Sequence, residues 1–190
     1  KEGFSICGGL FLVGTLLQIT LGAVNLDHLA YPVNLISGAV YVLALIGASL
    51  LSREVYLFRW MSGYQAAITA MIAVVVMTII MGLTLQVNAK VRVTGIDAWF
   101  GFSRMISAWS FALVLAWFIS LLGMVIARRA RHFRLKDIPF MLNHLGLFLA
   151  LTGAILGSAD MQRLKMQTSI GKAEWRARDE NQGTRELPLA

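Results

Sequence analysis

The chain has 190 residues, of which 57% are apolar and 14% charged, with a formal net charge of +7. Soluble domains carry roughly 25% charged residues, so a soluble core is excluded for most of this sequence. With one cysteine, Cys7, it cannot build a disulfide framework of its own.

About 20 apolar residues cross a bilayer as a helix. Five stretches reach that length: 6–24, 33–51, 64–87, 105–127 and 138–157. No strand alternation competes, and in lipid only helices or closed barrels satisfy the backbone. The sequence therefore predicts an all-α membrane protein with a five-helix transmembrane bundle over residues 1–157. The start at Lys1 rather than methionine reads as an incomplete N-terminus. The first span does not read as a signal peptide, because it is long and has no small-residue cleavage site behind it. Cys7 falls in or beside this span and reads as a buried structural thiol.

The loop 25–32 is short and ends in Pro32. It holds His28 beside Asp27, a solvated loop histidine. After the second span, the connection 52–63 carries Arg53 and Arg59. The third span leads to a loop with Lys90, Arg92 and Arg104. There Trp99, Phe100 and Phe102 fit an interfacial aromatic belt. The connection 128–137 holds Arg128, Arg129, Arg131, Arg134 and Lys136, with His132 among them. Asp137 before Ile138-Pro139 reads as an N-cap with proline in the first turn. Gly82, Gly123, Gly146, Gly153 and Gly157 lie within spans, where small residues allow close helix packing.

Basic residues mark the cytoplasmic side. Alternating spans put Lys1, Arg53, Arg59 and the five of the 128–137 connection on one side, eight in all. The loops opposite hold three, Lys90, Arg92 and Arg104. The expected topology has the N-terminus in the cytoplasm and the segment 158–190 outside (periplasmic), in an inner (cytoplasmic) membrane. The positive charge is then a topology signal with membrane lipids as its partner, and nucleic acid is not expected. Segment 158–190 changes to mixed charge, with turn signals at Gly171 and 181–183. Alternation at 172–178 and 187–190 suggests short strands. The segment is too short to close a core alone, so it is expected to begin an external, β-containing domain.

His144 lies in the fifth span. Ionisable groups in the hydrocarbon are costly and usually functional. It sits six residues past Ile138, about 9 Å along the helix, in the cytoplasmic half. A neutral imidazole there can coordinate a metal through one nitrogen while a hydrogen bond holds the other. Asn143 points about 100° away and is a poor orienter. A histidine hydrogen-bonded between helices is the plainer alternative. No acid, nucleophile, nucleotide loop or cysteine pair accompanies it, so no self-contained catalytic site is expected.

Three consecutive segments carry a resemblance. The first is Ser62-Gly63-Tyr64-Gln65-Ala66-Ala67, leading into a helix that ends near Gly82. The second is Gly101-Phe102-Ser103-Arg104-Met105, then Ser107-Ala108-Trp109-Ser110-Phe111. The third is Leu142-Asn143-His144-Leu145-Gly146-Leu147, then Gly153, Gly157 and Asp160-Met161-Gln162-Arg163-Leu164-Lys165-Met166. In order and spacing they resemble the membrane core of the ResB (CcsB) family of System II cytochrome c biogenesis. The likeness covers about residues 60–190. Residues 1–60 read as a two-helix addition, and 61–157 as the ResB-like core.

The resemblance implies a membrane component that binds and exports haem b. Together with a CcsA-type partner, fused or separate, it would present haem for attachment to apocytochrome c. The family's partner histidines and tryptophan-rich loop are not seen in this sequence. His144 matches the family's axial haem ligand by its Gly146 and Gly153 neighbours. Arg128, Arg129, Arg131 and Arg134 could meet haem propionates, since guanidinium pairs well with carboxylates. His132 reads more simply as a headgroup contact. Two other functions stay open: a haem-b anchor of a respiratory electron-transfer complex, and a structural assembly subunit without cofactor.

Overall fold

The computed structural model describes residues 2–87, 94–161, 164–166, 170–171, 176–179 and 186–188. Within them, five helices are long and apolar enough to cross a membrane. They are α1 (Glu2–Leu21), α2 (Val33–Leu51), α4 (Tyr64–Leu83), α6 (Trp109–Ala130) and α7 (Ile138–Leu156). Two short helices lie between them, α3 (Tyr56–Met61) and α5 (Ile96–Phe100).

The bounds depart from the sequence expectation where local chemistry intervenes. The first helix begins at Glu2, four residues early, with an acid in its positive first turn. It stops at Leu21 because Gly22 takes φ 79°, a left-handed conformation that suits glycine. The third span was expected to reach residue 87 but ends at Leu83. Thr84 leaves the helical region, and the Oγ1 of Thr84 and Nε2 of Gln86 both donate to the Phe102 carbonyl, at 3.1 and 2.9 Å. The fourth was expected from residue 105 but begins at Trp109. A 3-10 turn over Phe102–Ser107, broken by Arg104 at φ −138°, ψ 47°, precedes it.

The helices alternate in direction, and contacts define two ends. At one end Arg128 Nη1 donates to the Ser62 carbonyl at 3.3 Å, and Arg131 Nη2 to Ser52 Oγ at 3.1 Å. This is the basic end. At the other, the Tyr31 N–H and Asn34 Nδ2 donate to the Asp160 carboxylate at 2.9 and 2.6 Å. The Val24 N–H meets the Ser107 carbonyl there at 2.8 Å.

α6 is the centre. It packs against α1, α2, α4 and α7 and buries Val114, Ile119, Leu121, Leu122 and Met124. Around it lie Cys7, Leu45, Ala66, Ala70, Met77 and Phe148, so Cys7 is buried as expected. α1 crosses α6 closely: a Cβ on Gly14 would lie 2.4 Å from Ser110 Cα. A Cβ on Gly123 would meet Leu45 of α2 at 2.6 Å and Phe148 of α7 at 3.1 Å. Gly82, Gly146 and Gly153 have no such neighbour within 4 Å. Close packing therefore explains Gly123 but not those three. The outer faces are large and apolar, including Leu12, Leu16, Val40, Leu43, Val75, Ile79, Leu142 and Leu149. In water such a surface would aggregate; in a bilayer the lipid chains cover it.

Beyond α7, three strands, β1 (Leu164–Lys165), β2 (Arg176–Asp179) and β3 (Glu186–Pro188), pair antiparallel in that order. The expected strands at 172–178 and 187–190 fall only partly among the described residues.

Candidate functional site

His144 stands in the second turn of α7. Its Nδ1 lies 2.9 Å from the carbonyl oxygen of Phe140, one turn earlier. A carbonyl only accepts, so in the neutral ring Nδ1 carries the proton and donates it. Nε2 then keeps its lone pair. The orienting group expected from the chemistry is present, supplied by backbone rather than by Asn143. The imidazole also stacks on the Phe140 ring, with centroids 3.8 Å apart and planes 24° apart.

The stack continues. The Arg129 guanidinium sits 5.5 Å from the Phe140 centroid, a cation–π distance. Arg129 Nη2 meets Asp137 Oδ1 at 2.5 Å. The second oxygen of Asp137 accepts the Arg134 N–H at 3.1 Å. Asp137 was expected to cap α7, but its side chain makes no such bond to that helix. Its carboxylate is engaged by Arg129 and by the turn before it, and the helix starts at Ile138-Pro139 without a side-chain cap.

A cavity of about 870 Å³ opens at the basic end between α4, α6 and α7. Its apolar part is lined by Ala67, Val125, Phe140 and His144. Its rim carries Arg128, Arg129, His132, Arg134, Lys136 and Asp137, and Ser62, Gly63 and Tyr64 form a further wall. The volume lies in the upper part of the range for small-molecule and cofactor sites. Thus His132, expected to meet headgroups, lines the same cavity as His144. Arg131 is not among the lining residues; it is turned to Ser52. His28 is exposed at the opposite end.

The arrangement is amphipathic along its depth. His144, its Nδ1 held by Phe140, lines the cavity beside apolar Ala67, Val125 and Phe140, and the same cavity carries a cluster of cations. Among the described residues no three His, Cys, Asp or Glu side chains come together to hold a metal ion. A single imidazole suits a metal that brings its own ring of ligands, and the basic mouth suits carboxylates on that ring's edge. His144 could hold the metal of such a group, and Arg128, Arg129, Arg134 or Lys136 could meet its carboxylates. Sequence reasoning missed Phe140 and Asp137 as site residues. Phe140 stands at i−4 from His144, which was a usable signal; the fold-back that brings Asp137 to Arg129 was not visible.

No protein-family model, curated protein or solved structure matches the chain.

Proposed function

We propose that this chain binds haem b in the membrane, with His144 as one axial ligand, and passes it outward for attachment to apocytochrome c. The observation that carries this reading is the cavity shared by His144 and the basic cluster. The fixed tautomer supports it, because a ligating histidine needs its other nitrogen held. Haem would supply the iron and the porphyrin that is transferred. The chain would orient the imidazole, exclude water from the apolar part and neutralise the propionates.

The basic end is then the cytoplasmic side, in keeping with the positive-inside rule, and the cavity mouth faces the haem supply. The second axial ligand would come from a CcsA-type partner. α7 leaves much of its surface open to meet one, since Leu142, Leu145, Leu147 and Leu149 are all exposed. The segment from Ser158 onward would begin an external, β-containing domain. The electron-transfer anchor is less well supported. Such anchors use two facing histidines, whereas His28 and His144 lie toward opposite ends and His132 is exposed at the rim.

The test is the visible spectrum of the protein purified with its membrane partner. His144→Ala should insert normally and lose most co-purified haem. His144→Gly should regain haem when imidazole is added, because imidazole can occupy the vacated ligand position. An unchanged haem content and spectrum in His144→Ala would remove the ligand assignment.

A further inference from the structure

Four side chains form a continuous chain from the rim of the cavity to its interior. Asp137 holds Arg129 at 2.5 Å. Arg129 lies over Phe140 at 5.5 Å, and Phe140 stacks on His144 at 3.8 Å. The Asp137 side chain is 4% exposed and that of Arg129 51%. The carboxylate is therefore the fixed partner, and the arginine is the one that reaches into the open cavity.

Arginine has five N–H donors in a rigid fork. Among the described residues, Asp137 engages Nη2 alone. The remaining donors have no protein acceptor there. A second carboxylate could be bound without displacing Asp137, and displacement would be unfavourable, since a buried carboxylate stripped of its partner is strongly destabilising. Asp137 thus acts as an anchor for Arg129 and does not compete with a ligand for it. At position 129 a lysine ammonium would be a point charge and could not present a fork to two carboxylates.

We propose that Arg129 is the residue that selects a ligand bearing a carboxylate, and that Asp137 and Phe140 are positioning residues that set it at a fixed place relative to His144. This rests on the haem reading of the cavity and adds the ligand's recognised edge to it. The ligand class is an amphiphilic, ring-shaped carboxylic acid bound with its acid groups toward the basic end.

The experiment uses the protein in lipid nanodiscs, titrated with metal-free protoporphyrin IX and with its dimethyl ester, with empty nanodiscs subtracted. Metal-free porphyrin needs no axial ligand, so the measurement is separate from iron coordination. Wild type should bind the diacid about tenfold or more tightly than the ester, the size expected of one charge-assisted contact. Arg129→Gln and Asp137→Asn should bring the two affinities within about threefold of each other. Arg129→Lys keeps the charge and threatens the fold least; it should also lose most of the preference. Arg131→Gln, a control away from the cavity, should keep it. If wild type prefers the diacid but all three test variants do so equally, the selection by Arg129 is overturned while the haem reading stands. If wild type binds both porphyrins without preference and still takes up haem through His144, the carboxylate edge is not recognised and the proposal fails alone. If wild type binds neither porphyrin nor haem, both readings fall.

Discussion

Phe140 does two jobs for His144, and they separate by mutation. Its carbonyl holds Nδ1, and its ring supports the imidazole face. Phe140→Leu keeps the carbonyl and removes the ring. Aromatic pairs contribute about 0.5–1.5 kcal/mol beyond burial. The haem-to-protein ratio of Phe140→Leu, measured at limiting haem, should therefore correspond to an affinity about two- to tenfold weaker, with the axial-ligand spectrum retained. Wild-type occupancy would show that the stack is incidental. Asn143→Ala should change little, because Asn143 is exposed. Of the site, His144 and the nearby arginines were readable from type and position: one ionisable residue in an apolar span, and a basic run at its mouth. Asp137 was readable only as a cap. Its ion pair depends on the turn over Leu135–Asp137, which folds the start of α7 back beside the end of α6, and no local pattern encodes that distance.

At the level of elements, apolar length located all five helices that are long and apolar enough to cross a membrane among the described residues. The ends were less readable, since they depend on hydrogen bonds between distant loops, such as Gln86 with Phe102. Glycine function was not readable from position in a span. Gly14, unremarked in the sequence, touches the Ser110 backbone, whereas Gly146 faces open space. Substitution should separate them. Gly14→Leu forces bulk between α1 and α6 and should destabilise the bundle by about 1–3 kcal/mol or more. Gly146→Ala should be neutral or stabilise by up to about 1 kcal/mol, from helix propensity. Thermal unfolding in detergent would decide; equal effects at the two sites would contradict the packing around α6.

The two ends are distinguished by the basic residues of their short connections and by contacts. The basic end gathers the connections that carry Arg53, Arg59 and the 128–137 run; Asp160 ties the other end together through Tyr31 and Asn34. Reporter fusions after Lys136 and after Gln167 should fall on opposite sides, with the first in the cytoplasm. Equal labelling of both from outside would contradict the alternation. The segment 158–190 should not fold alone, because it has too few apolar residues to close a core; as a peptide it should give narrow, undispersed amide signals. Sharp, dispersed signals would refute that.

The central claim is that iron is bound by the side chain at position 144, and exchanging that ligand tests it more directly than deleting it. His144→Met places a thioether in the same turn of α7. Methionine ligation raises the haem reduction potential relative to bis-histidine ligation. The account predicts that His144→Met, purified with its partner, shows a changed axial-ligand spectrum and a higher midpoint potential. A wild-type spectrum and potential in that variant would show that iron is held elsewhere.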